Sequence, residues 1–237
     1  SQTFTFNPSR INLIWEADTT VPPLYAGKAL YSAGSSYKVV AFPSVYSGGA
    51  RILPSALSYQ WSYRGDAMPD QSGLGRAIFT KTGDQLQDGE DVAVDVYYGA
   101  AKVGHSEVSI PATSPQILFY QRDALRGAVY DATLPAGIAL VGKEITVQAE
   151  PYFFSVTAKK AGAIPFTWTL NGTATSGPDS ARGIITLRQS GEGQGEAALG
   201  AAIQNTVPDQ FVQAASSQLR IVFGAQPGNA LLNFFGL

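Results

Sequence analysis

Apolar and polar positions along the chain alternate with the period of strands rather than helices. "EITVQAEPYFF" at 144–154 alternates clearly, and "SYKVVAF" at 36–42 does so more loosely. "ALSYQWSY", "DVAVDVYY", "FTWTL", "GIITLRQ" and "SQLRIVF" are short and rich in β-branched and aromatic residues. Such residues suit a pleated, half-buried surface. Between these runs stand turn formers: Gly48-Gly49, Gly73 to Gly75, Gly99, "SGPD" at 176–179 and "SGEGQGE" at 190–196. No stretch offers three helical turns with an apolar stripe and caps.

The pattern repeats. "YQWSYRG" at 59–65 echoes "FTWTLNG" at 166–172, with both Trp61/Trp168 and Gly65/Gly172 separated by 107 residues. "VVAFP" at 39–43 pairs with "VQAEP" at 147–151, 108 residues on. "SRINLIWEAD" at 9–18 pairs with "SPQILFYQRD" at 114–123, which aligns Leu13 with Leu118, Trp15 with Tyr120 and Asp18 with Asp123 at a spacing of 105. Matched stretches in one order at nearly constant spacing mark a duplicated domain. "AALGAAI" at 197–203 contains good helix formers, but it fills the slot that "DVAVDVYY" fills in the first copy, so it reads as a strand. A third partial copy lies at the ends. "SQTFTFNPS" at 1–9 matches "SEVSIPATS" at 106–114, and "SQLRIVFGA" at 217–225 is the same element again. The expected layout is therefore residues 1–8 as a strand from, or standing in for, a preceding domain, sandwiches at 9–112 and 113–224, and an apolar tail at 225–237. The parent protein is expected to be a longer string of such domains.

Each copy holds about seven short strands, which suggests a β-sandwich. The layout resembles immunoglobulin-like domains, with Trp61 and Trp168 in the place of the buried tryptophan on strand C. "W-x3-G" then gives a strand followed by a hairpin turn. "DGEDVAV" at 88–94 resembles the acidic turn into strand F, with Val92 and Val94 where antibody domains carry Tyr and Cys. The whole also resembles tandem immunoglobulin-like or PKD-like surface proteins of small-genome bacteria, which repeat segments much like "LIWEADTTVPPLYAGKAL" at 13–30. The resemblance implies an all-β fold of two tandem sandwiches at a cell surface and names no activity. A tryptophan at one place in both copies is best explained by a shared core.

Composition narrows the function classes. Of 237 residues, 14% are charged, well below the roughly 25% usual for soluble proteins, so Ser, Thr, Gln, Gly and Ala fill much of the surface. That texture is common in secreted bacterial proteins. The net charge is −2 with no basic stripe, which argues against nucleic acid as a partner. The absence of cysteine removes disulfides and thiolate chemistry, and a lone histidine, His105, leaves no pair of histidines for zinc. No window approaches a membrane-spanning length, although the parent protein is open to membrane anchoring.

Candidate chemistry is sparse. Asp84, Asp88, Glu90 and Asp91 form an acidic run that would suit calcium, with Asp88, Glu90 and Asp91 as the candidates. The alternative is a solvated turn bent at Asp88-Gly89. Asp18 and Asp123 each follow an apolar strand and can end it with a side-chain to backbone bond. Glu16, Asp18, Glu144 and Glu150 are scattered, so no carboxylate pair suggests hydrolysis, and His105 is expected at an exposed strand edge. Tyr97 and Tyr98 are candidates for stacking on a glycan. Tyr152, Phe153 and Phe154 are expected to be buried. The tail "AQPGNALLNFFGL" offers Leu231, Leu232, Phe234 and Phe235 to cover its own domain, to bind a partner chain or to lead toward a membrane. "PATSPQ" at 111–116 is a short, stiff connector. The expectation is a non-catalytic spacer or assembly unit without a cofactor, partnered by other chains or neighbouring domains. A carbohydrate-binding module is the alternative, and accessory domains of a surface enzyme come third.

Overall fold

The computed structural model describes residues 10–86, 88–208 and 212–224. The strand expected at 1–8 and the tail at 225–237 lie outside the described residues. The chain divides into two compact units. One comprises residues 10–19 and 28–113, the other residues 20–27 and 114–224.

The first unit has six longer strands: β1 (Arg10–Ala17), β2 (Ser36–Ser44), β3 (Ser58–Tyr63), β4 (Ile78–Thr82), β5 (Gly89–Tyr98) and β6 (Ala101–Pro111). One sheet runs β1-β2-β4, and the other runs β6-β5-β3 and ends on the short strand Asp66–Ala67. All of these pairs are antiparallel. The core lies between the sheets. Val39, Ala41 and Phe79 face it from one side, and Tyr59, Trp61, Val92, Val94 and Val96 from the other. Strand alternation sets this out directly, because successive side chains point to opposite faces.

The second unit repeats the plan with β7 (Gln116–Asp123), β8 (Gly137–Ala139), β9 (Glu144–Tyr152), β10 (Phe166–Leu170), β11 (Ile184–Arg188), β12 (Gly195–Gln204) and β13 (Ala214–Phe223). One sheet runs β7-β9-β11, with the short strand Gly127–Ala128 on the outer edge of β7. The other runs β8-β13-β12-β10 and ends on Thr173–Thr175, with β8 parallel to β13. "AALGAAI" lies in β12, where Ala201 stands opposite Trp168. A short helix, α1 (Val156–Lys160), is capped by Ser155, whose Oγ accepts from the Ala158 amide at 3.3 Å. Both units are immunoglobulin-like β-sandwiches, each with a three-stranded sheet facing a sheet whose strand C carries the tryptophan.

The paired turns explain the repeated "W-x3-G". Arg64 and Gly65 have φ of 51° and 88°, and Asn171 and Gly172 have 51° and 79°. Positive φ at both central residues of a two-residue loop is the signature of a type I′ hairpin, whose twist matches that of the flanking strands. Asn tolerates this region well, and in addition Asn171 Oδ1 accepts from the Ala198 amide at 2.8 Å.

One sequence equivalence needs correction. Leu13 stands opposite Ala41, and it is Phe119, not Leu118, that stands opposite Ala149. The first strands therefore match at a spacing of 106, not 105. Trp15 corresponds to Gln121, and Tyr120 corresponds to Ile14. A slip of one residue exchanges the two faces of a strand, so it changes which side chains meet the core.

Segment 20–27, which follows β1 in sequence, is part of the second unit. There Thr20 makes four bonds. Its amide donates to the Phe154 carbonyl and its carbonyl accepts from the Phe153 amide, both at 2.7 Å. Its hydroxyl donates to the Pro151 carbonyl at 2.8 Å and accepts from the Phe154 amide at 3.0 Å.

Candidate functional site

The repeated tryptophans are core residues with satisfied polar ends. Trp61 is 1% exposed and Trp168 2%. Trp61 Nε1 donates to the Arg76 carbonyl at 2.8 Å, and Trp168 Nε1 donates to the Ser180 carbonyl at 2.9 Å. Their faces meet Phe79 in the first unit, and Phe119 and Phe166 in the second. Neither indole presents a free face or a free N–H to a ligand. Val92 and Val94 are buried in the same core as Trp61.

The acidic run does not converge. Glu90 lies on the inward side of β5, in line with Val92 and Val94, while Asp91 points outward. Buried Glu90 Oε1 accepts from the Tyr31 hydroxyl at 2.6 Å and from the Asp84 amide at 3.1 Å. Asp84 in turn accepts from the Tyr63 hydroxyl at 2.8 Å. Asp91 accepts from the Ser109 hydroxyl at 2.6 Å. Among the described residues, no three His, Asp or Glu side chains come together as a metal site. The sequence left a solvated turn and a calcium site as alternatives; strand alternation sends residues 90 and 91 to opposite faces.

These contacts perturb the tyrosines. Burial pushes the Tyr31 and Tyr37 phenols well above their ordinary range, and the Glu90 carboxylate adds to both. Tyr63 rises through burial first and then through the neighbouring Glu90 and Asp84 carboxylates, Asp84 accepting its hydroxyl's hydrogen bond.

The second unit holds a comparable mesh on the outer face of its β7-β9-β11 sheet. The Tyr130 hydroxyl donates to Glu150 Oε1 at 2.6 Å, and the Tyr120 and Tyr152 hydroxyls bond each other. The Tyr130 ring meets Tyr120 edge-on, and Tyr25 meets Tyr152 edge-on. Tyr130 is raised by burial and then by Glu150, and Tyr152 by burial and then by Tyr120. Tyr152, Phe153 and Phe154 are all buried.

The remaining candidates are dispersed. Tyr97 is half-buried and Tyr98 exposed, and as successive residues of β5 they point to opposite faces. They therefore do not form one stacking platform. His105 is half-exposed on β6, with Nδ1 at 2.6 Å from Asp95 Oδ1, which also takes Lys102 at 2.7 Å. Glu16 pairs with Lys38, and Glu144 pairs with Arg188. Asp123 Oδ1 accepts from the amides of Leu125 and Arg126 and so turns the chain after β7. In the second unit an apolar hollow of about 280 Å³ is lined by Leu140, Ile145, Leu170, Leu187, Ile221 and Phe223, among others. Leu231, Leu232, Phe234 and Phe235 lie outside the described residues. Among the described residues, no helix is long and apolar enough to cross a membrane.

No family model matches this chain, and no curated protein matches it. Solved structures of low identity do align with it. The three N-terminal domains of the Highly Immunogenic Outer Capsid protein of bacteriophage RB49 align at 12% identity and a TM-score of 0.42, over 90% of this chain and 59% of that one. The fibronectin(III)-like modules of Clostridium thermocellum CbhA align at 12% identity and a TM-score of 0.27, over 89% and 95%. The Ig1-2 module of the Drosophila receptor protein tyrosine phosphatase DLAR aligns at 12% identity and a TM-score of 0.27, over 92% and 100%. This chain thus spans 59% of the first of these structures. The immunoglobulin-like assignment rests on the strand order within the two units.

Proposed function

We propose that the chain is a non-catalytic structural and adhesive module of an exported bacterial surface protein, serving as a spacer or assembly unit. The observation that carries this reading is the same sandwich built twice in tandem, each copy closed around its own tryptophan. Duplication of a scaffold multiplies length and surface, which serves spacing and adhesion. Several carboxylates hold the scaffold. Glu90 and Glu150 anchor tyrosines, and Asp123 shapes a turn. The low charge and the Ser, Thr and Gly surface fit an exported protein. The partners under this reading are other protein chains or neighbouring domains, with Leu231, Leu232, Phe234 and Phe235 as candidate contacts.

The test is the solution mass by light scattering at micromolar protein, for the full chain and for a chain ending at Gly224. An oligomer that becomes monomeric on truncation supports assembly through the tail. Two folded monomers would overturn tail-mediated assembly. Specific binding on a glycan array would then favour the carbohydrate-binding alternative.

A further inference from the structure

The two units treat one sheet face differently. In the second unit three outward positions at one end of β7, β9 and β11 are covered: Tyr120 is 4% exposed, Glu150 8% and Ile184 9%. The cover includes residues after β7. Gly127–Ala128 pairs with the edge of β7, the Val129 amide donates to the Gln121 carbonyl, and Tyr130 lies against Tyr120 and Glu150. In the first unit the matching residues are Ile14, Phe42 and Ile78, at 58%, 49% and 54% exposure. Ile14, Val40 and Ile78 lie side by side across β1, β2 and β4, and Phe42 is next along β2. The first unit thus keeps an apolar sheet face without the cover its repeat possesses.

We propose that this face is a homodimerisation surface whose occupant is the same face of a second copy of this chain. The inference rests on the assembly reading above, but it places the contact on the sheet and not in the tail. The face is self-complementary. Along β1 the outward residues run Arg10, Asn12, Ile14 and Glu16, so an arginine end and an end holding the Glu16–Lys38 pair flank an apolar middle. Arg10 has no ion-pair partner among the described residues, whereas Glu16 holds Lys38 at 2.9 Å. Face-to-face sheets related by a two-fold axis across the strands bring β1 over β1, running in opposite directions. With the axis level with Leu13, Phe42 of each chain meets Val40 of the other, Ile14 and Ile78 lie one residue from the axis, and Arg10 of each chain meets Glu16 of the other. Three strands of this length present on the order of 400 Å² per copy. That places the contact among weak, transient interfaces, with a Kd of about 0.1–1 mM. Such contacts act where many copies are held side by side on a surface.

The test is sedimentation of the full chain between about 10 µM and 1 mM. The expected result is a mass that climbs toward the dimer. Ile14→Glu with Ile78→Glu, both outward-facing, should leave a folded monomer throughout. Arg10→Glu alone and Glu16→Arg alone should each weaken the dimer several-fold, while an equimolar mixture of the two should recover it, because both cross-chain pairs are then opposite in sign. This mixture also tests the two-fold should the isoleucine variant fail to fold. The chain ending at Gly224 should dimerise like the full chain. A wild-type monomer at about 1 mM overturns the proposal, as does a folded isoleucine variant that dimerises normally. Loss of the dimer on truncation at Gly224 also overturns it and makes the tail the occupant. In that case the assembly reading stands and this inference fails.

Discussion

An alanine Cβ at Gly172 would meet open space, yet the residue sits at φ 79°, where an L side chain is strained. Gly65 stands in the same place in the first hairpin, at φ 88°. Gly172→Ala is expected to cost about 1–2 kcal/mol, all of it conformational. Gly83 is the opposite case. A Cβ there would overlap the Tyr31 hydroxyl and come within 2.5 Å of Glu90 Oε1. Gly83→Ala is expected to cost about 3 kcal/mol, from overpacking and from the broken Tyr31–Glu90 bond. Urea denaturation checks both. Tyr31→Phe removes the clashing oxygen, so it should recover part of the Gly83→Ala loss and none of the Gly172→Ala loss. Equal behaviour in the two backgrounds would contradict the Gly83 assignment. The hairpin glycines were legible in the repeat, because "W-x3-G" carries its own turn chemistry. Gly83 was not, since its need arises from Tyr31 and Glu90, which lie elsewhere in the sequence.

At the scale of elements, the sequence disclosed the duplication, the strands and the inward valines of β5. It misaligned the first strands by one residue for a physical reason. "LIW" at 13–15 and "LFY" at 118–120 are unbroken apolar runs, and identity alone cannot say which member faces inward. Only the cross-strand partners, Ala41 and Ala149, decide it. The placement of segment 20–27 in the second unit was likewise hidden. Its prolines exclude helix but do not reveal which unit it completes. Thr20 fixes that segment through two hydroxyl bonds and two backbone bonds. Thr20→Val keeps the shape and removes the hydroxyl, leaving the buried Pro151 carbonyl and Phe154 amide short of one partner each. The expected loss is about 1–3 kcal/mol. Hydrogen exchange should show faster opening at Phe153 and Phe154, with the strands of the first unit unchanged. Uniform acceleration in both units would contradict the assignment of residue 20 to the second.

Across the whole molecule, both units share a response to alkali. Tyr31, Tyr37, Tyr63, Tyr130 and Tyr152 all have raised pKa values, burial being the largest cause in each. A raised folded-state pKa means that the folded chain holds the proton more tightly than the unfolded chain. The associated stability is complete below about pH 10, the unfolded value, and is lost as pH rises toward the folded values. For the fully buried Tyr31 and Tyr37, each pH unit above about 10 removes about 1.4 kcal/mol per phenol that stays protonated. Urea midpoints should therefore be flat from about pH 7 to 9 and fall steeply beyond about 10, and Tyr37→Phe should make the fall shallower. Tyrosinate absorbance that rises fully near pH 10 while the fold persists would contradict this account.

The central claim is that the chain is a tandem of separately cored sandwiches suited to a structural role. Its most direct test is single-molecule extension of the full chain held by its ends. Two force peaks are expected, each releasing a contour length of about 250–400 Å, as for some 90 to 110 residues at about 3.6 Å each. A smooth extension without peaks, or one peak releasing the whole length, would contradict it.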